Sequence, residues 1–104
     1  MIYVLNNGVI VPGKVAEWGE IFKNELMPIF PEVGLKLVGS WRSNTGDMNA
    51  FYNLLVFDDL AALQKSRELQ RTVKEYTRAS EMVSAIRISL TLTILEPNPW
   101  SPMK

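Results

Sequence analysis

Two strand-helix-strand patterns of similar length, joined by a polar turn, restrict what this chain can fold into more than any other feature. The first runs from Met1 to about Gly46 and the second from about Asp47 to Pro97. Ile2 to Val11 reads as a strand. Asn6-Asn7-Gly8 interrupts its β-favouring residues and predicts a bulge, since glycine inside a strand pattern often marks one. Pro12-Gly13 ends the strand, and a proline suits a helix entry because the amide hydrogen it lacks would be unpaired there anyway. Val15, Trp18, Phe22 and Leu26 then recur at helical spacing, which predicts a helix from about Lys14 with one apolar stripe. Pro28 should kink or end it, and Pro31-Glu32-Val33-Gly34 closes it.

Leu35 to Ser43 is a second strand, with Leu35, Leu37, Gly39 and Trp41 on one face and Lys36, Val38, Ser40 and Arg42 on the other. Ser43-Asn44-Thr45-Gly46-Asp47 is rich in turn formers and predicts a hairpin into a third strand, Phe51 to Phe57. Asp58 or Asp59 caps a second helical region reaching about Met82. Its stripes, Leu60 and Leu63, then Leu69, Val73 and Tyr76, are out of phase and predict a break near Glu68 to Arg71. Arg87 to Leu95 is the last strand, apolar at Ile88, Leu90, Leu92 and Ile94. The order is β-α-β-β-α-β, the ferredoxin-like split arrangement within the α+β class. It places both helices on one face of a four-stranded antiparallel sheet. Residues 1–104 read as a single domain, with 97–104 as a proline-rich tail.

The third strand is apolar on both faces: Tyr52, Leu54 and Val56 oppose Phe51, Leu55 and Phe57. Helices cover only one face, and removing apolar area from water is worth about 25 cal/mol per Å². A second copy of the sheet, related by a twofold axis, is the simplest cover for the other face, so a homodimer or higher homo-oligomer is expected.

Composition limits the chemistry. The chain has 11 basic and 11 acidic residues, no cysteine and no histidine. Balanced charge argues against nucleic acid as a partner. Thiol nucleophiles, histidine triads and ordinary zinc sites are excluded, which leaves carboxylates, tyrosines and lysines for acid-base work. No apolar run approaches the roughly 18 residues of a membrane span. The first residues lack the basic segment of a secretory signal, so a cytoplasmic location is expected. Asp58-Asp59 could recruit a hard cation, but adjacent carboxylates at a helix start fit a cap and dipole partner better. No metal or cofactor is therefore expected.

The candidate site residues are aromatic and strand-borne. Trp41 reads either as the wall of an apolar cavity between sheet and helices, with Trp18 and Tyr3, or as core. Asn6, Asn53 and Arg42 are polar residues within strand patterns. Such groups either orient a ligand or pair with backbone or a partner chain. Tyr76 and Arg87 allow the same two readings.

Val11-Pro12-Gly13-Lys14, Leu37-Val38-Gly39-Ser40-Trp41, Gly46 with Asn49, Phe57-Asp58-Asp59-Leu60-Ala61 and Leu95-Glu96-Pro97 with Ser101-Pro102 resemble the NIPSNAP family, a branch of the dimeric α+β barrel superfamily. Val73 stands three residues before Tyr76 where the family often carries tryptophan, and no asparagine clearly precedes the last strand. The resemblance implies dimers or higher assemblies with two sheets facing each other, and no defined activity. Some members of the wider superfamily are cofactor-free oxygenases or act on small aromatic and polyketide-like substrates. The expectation is a homodimeric module that binds a small apolar ligand or a protein partner. Its rival is a cofactor-independent oxygenase or related enzyme for a small aromatic or apolar substrate.

Overall fold

The computed structural model describes residues 1–104. Its sheet is built around β1 (Ile2–Ile10), which pairs with β3 (Ala50–Phe57) on one side and β4 (Arg87–Leu95) on the other. β2 (Leu37–Arg42) pairs with β3 at the far edge, so the order is β2-β3-β1-β4 and every pairing is antiparallel. This is the ferredoxin-like arrangement expected from the doubled pattern.

The first helical segment changes pitch twice. α1 (Val15–Ile21) passes into a π-helical turn at Phe22–Leu26 and then into a 3-10 stretch, Met27–Val33. Pro28 cannot donate to a carbonyl one turn back, so the regular ladder is abandoned ahead of it. The α-helix proper is therefore shorter than its apolar stripe. Gly34, with φ 68°, closes the segment in the left-handed conformation that glycine adopts without steric cost.

α2 (Leu60–Thr72) begins where expected: Asp59 Oδ1 accepts from the Ala62 amide at 2.8 Å. The break comes at Val73, slightly later than the phase change suggests, because the Val73 amide still reaches Leu69 O at 2.9 Å. Val73 is extended (φ −83°, ψ 108°), and α3 (Lys74–Ser84) starts afresh. Thr77 Oγ1 donates to Gln70 O (3.3 Å) across the break.

Side chains of α1 through α3 pack on one sheet face. The core there joins Ile2, Val4, Leu55 and Phe57 to Leu26, Phe30, Val33, Leu63, Ala79 and Val83. Buried Ser66 ties α2 to the 3-10 stretch by donating to Val33 O at 2.5 Å. The opposite face carries Leu5, Tyr52 and Leu54, all part-exposed, with no helix over them. At one end of that face Pro97, Ser101 and Met103 of the tail lie beside Tyr3 and Leu54. No helix is long and apolar enough to cross a membrane.

The bulge anticipated at Asn6-Asn7-Gly8 is absent, and β1 runs through it in unbroken register with β3. Gly8 serves a close approach instead. A methyl there would lie 2.6 Å from Phe51 Cε1 and 2.7 Å from Ser89 O. The register slips at two other places. Val38 is an extra residue in β2, between the Leu37–Leu55 and Gly39–Leu54 pairs. Ile88 is an extra residue in β4, between Ser89–Val9 and Arg87–Ile10. A one-residue slip exchanges the faces of everything beyond it. Ser40 and Arg42 thereby join the helix side, Gly39 and Trp41 leave it, and Arg87 is brought onto it.

Candidate functional site

A cavity of about 210 Å³ lies between the sheet and the helices. Its aromatic wall comes from the α1 stripe and from β3. The Trp18 ring stacks on Phe51 with centroids 4.5 Å apart and on Phe22 at 5.2 Å. Phe22 meets Phe30 edge-on at 5.7 Å. Stacked and edge-on aromatic contacts of this kind add about 0.5–1.5 kcal/mol each beyond area burial, so the wall is a stiff one.

Polar groups enter from two sides. Asn6 and Asn53 are directly paired across β1 and β3, and both line the cavity. Asn53 is only 2% exposed. Its Oδ1 accepts from Ser40 Oγ at 2.5 Å, a bond made possible by the slip at Val38. From the helices come Gln70, Tyr76 and Ser80. Gln70 Nε2 donates to Ser66 Oγ at 3.1 Å. Burial raises the pKa of Tyr76 and outweighs the opposing pull of the Arg87 cation, so its phenol stays protonated well beyond neutral pH.

Two polar atoms in this wall are fully buried and have no partner among the protein's own groups: Asn6 Oδ1 and Trp18 Nε1. Leaving a buried donor or acceptor unpaired costs about 1–3 kcal/mol. Native interiors pair the large majority of such groups. The residues that carry them, Asn6 and Trp18, line the same cavity.

The mouth lies along β4. Leu90 and Leu92 are 38% and 51% exposed there, because the helices leave this edge strand largely uncovered. Arg87 is half-buried beside them and donates to Ser84 Oγ at 3.3 Å. It makes no ion pair; the pairs in the molecule are Lys14–Glu17 and Arg78–Glu25. The cavity lining includes no aspartate, glutamate or lysine. No cluster of three or more His, Cys, Asp or Glu side chains is placed to hold a metal.

The expected site residues therefore separate. Trp18, Asn53 and Tyr76 converge on the cavity together with Asn6 and Arg87. Trp41 and Tyr3 do not line this cavity. Trp41 is 56% exposed, and its ring folds over Gly39. Tyr3 lies on the face the helices leave open, against the tail. Arg42 is on the helix side and, with Trp18 and Trp41, lines a separate, more open groove of about 350 Å³. Sequence reasoning missed Gln70 and Ser80. Ser80 follows Tyr76 by one helical turn, a spacing that puts both on one face and could have found it.

Residues 5–102 match NIPSNAP. The chain belongs to the NIPSNAP family. Solved NIPSNAP proteins superpose over nearly the whole chain. An uncharacterised NIPSNAP domain protein from Burkholderia xenovorans is 20% identical with a TM-score of 0.90, over 98% of this chain and 99% of that one. A NIPSNAP family protein from Agrobacterium tumefaciens is 20% identical with a TM-score of 0.91, over 99% and 98%. A protein named as an antibiotic biosynthesis monooxygenase is more distant, with 16% identity and a TM-score of 0.74 over 95% of this chain and 100% of that one. At these identities the likeness is one of fold. No curated protein matches the NIPSNAP sequence described here.

Proposed function

We propose that this NIPSNAP domain is a homodimeric module that binds a small ligand between its sheet and its helices. The observation that carries the reading is the pair of unpartnered buried atoms, Asn6 Oδ1 and Trp18 Nε1, lining an aromatic-walled cavity. A bound molecule offering a donor and an acceptor would pair both. A largely apolar pocket with a few placed polar groups is also the usual form of a small-molecule site. The test is an NMR titration of the indole N–H signals of Trp18, Trp41 and Trp100 against a mixed fragment library. Fragments that move the Trp18 signal alone support the reading. A library that leaves Trp18 untouched while the protein stays folded contradicts it.

The dimer rests on the open sheet face, where Leu5, Tyr52 and Leu54 remain part-exposed and Trp41 is mostly exposed. A second copy laid against this face would remove them from water. Light scattering at low micromolar concentration should give twice the 11.8 kDa chain mass, and a clean monomer would contradict the claim.

A cofactor-independent oxygenase or related enzyme is the alternative. The monooxygenase-like fold and the aromatic cavity favour it. The cavity lining offers no carboxylate or lysine as base, and Tyr76 holds its proton. Binding without turnover is therefore the stronger reading. Oxygen uptake with a phenolic substrate, lost in Tyr76→Phe, would reverse that order.

A further inference from the structure

We propose that the ligand is a single-ring aromatic acid carrying a hydroxyl group, with its ring against Trp18, its hydroxyl at Asn6 and its carboxylate at Arg87. The inference rests on the ligand-binding reading above and adds a chemical class to it.

Size comes first. An apolar cavity of about 150 Å³ takes a benzene molecule. A cavity of about 210 Å³ therefore takes one ring with one or two small substituents, and not a substituted fused pair. Shape agrees, because Trp18, Phe22 and Phe51 give the cavity an aromatic wall against which another ring can pack.

The polar atoms then set the substituents. Asn6 Oδ1 lacks a donor and Trp18 Nε1 lacks an acceptor. A hydroxyl gives one proton and accepts through two lone pairs, so one such group has the capacity to serve a lone acceptor and a lone donor. A carbonyl would satisfy Trp18 and leave Asn6 unpaired, and an ammonium would do the reverse. Arg87 also lines the cavity, half-buried and without a carboxylate partner in the protein. The lining holds no acidic side chain to compete for it. A guanidinium in that position favours a carboxylate, which it binds through charge-assisted and often bidentate hydrogen bonds. A cationic ligand is disfavoured for the same reason.

The experiment is calorimetric titration of the intact chain with 4-hydroxybenzoate, phenol, benzoate and 6-hydroxy-2-naphthoate, with the Trp18 indole signal followed in parallel. The expected result is 4-hydroxybenzoate binding about tenfold or more tighter than phenol and than benzoate, and the naphthoate binding weakest. Arg87→Met should remove the advantage over phenol. Asn6→Leu should remove the advantage over benzoate. Wild-type unfolding midpoints in both variants would show that neither loss reflects misfolding; if Asn6→Leu fails to fold, the Arg87→Met comparison decides. Equal binding of phenol and 4-hydroxybenzoate, or tightest binding of the naphthoate, with Trp18 still responding, overturns the ligand class and leaves the cavity reading standing. No Trp18 response to any of these compounds or to the fragment library overturns both.

Discussion

The two edge strands, β2 and β4, each carry one extra residue, and the consequences for the cavity are opposite. In β2, Val38 turns Trp41 away from the helices and brings Ser40 under Asn53. In β4, Ile88 turns Arg87 toward the helices, where it reaches the cavity mouth. One slip removes a large aromatic ring from the site, and the other supplies its only cation. Bulges are known to re-aim side chains near functional sites. Here the face of the sheet on which a residue acts is decided by two inserted residues and not by the alternation of its own strand.

Removing the β2 partner of Asn53 should have the largest effect. Ser40→Ala leaves the buried Asn53 amide without its donor. An orphaned buried amide should cost about 1–3 kcal/mol, read by urea denaturation. A loss under about 0.5 kcal/mol would mean that the contact Ser40 gains from the β2 slip is incidental.

The next test contrasts two crowded glycines. Gly8→Ala puts a methyl against Phe51 and against the backbone oxygen of Ser89, which cannot move aside, and should cost about 2 kcal/mol. Gly39→Ala meets the Trp41 ring first. That ring is mostly exposed and can swing away, so the cost should stay below about 1 kcal/mol. Equal costs would show that Trp41 is held far more tightly than its exposure implies.

Arg87→Met should remove the only cation from the cavity. The fold should persist, because Arg87 is part-exposed and sits on an edge strand. Affinity for 4-hydroxybenzoate should fall to that of phenol, a loss of about 1.4 kcal/mol for each factor of ten. The smallest effect is one of pH. The folded pKa of Tyr76 lies above its ordinary 10.0, so above that pH the folded state holds a proton the unfolded chain has released. Stability should therefore fall as pH rises from 10.0 toward the folded value, and Tyr76→Phe should remove that part of the decline.

Much of this fold is legible along the chain, because local signals carry it. The Asp59 cap, the apolar stripe through Trp18 and Phe22, and the turn around Gly46 each act within a few residues. The out-of-phase stripes in the second helical region signal its break correctly in kind. The exact residue, Val73, is set by one more hydrogen bond to Leu69. The site is harder to read. Val38 and Ile88 look like ordinary strand residues, and only pairing with the neighbouring strand shows them to be extra. Plain alternation therefore puts Trp41 on the same face as Leu37 and does not reveal Arg87 at the cavity. Gly8 misled in the other direction: its missing side chain accommodates Phe51, a contact between strands that sequence spacing does not encode.

The same pair of tryptophans gives the most direct test of the account. In a titration with 4-hydroxybenzoate followed by the indole N–H signals, Trp18 should shift strongly and Trp41 should not, since only Trp18 lines the cavity. A response at Trp41 without one at Trp18 would place the binding surface on the open face of the sheet and contradict the account.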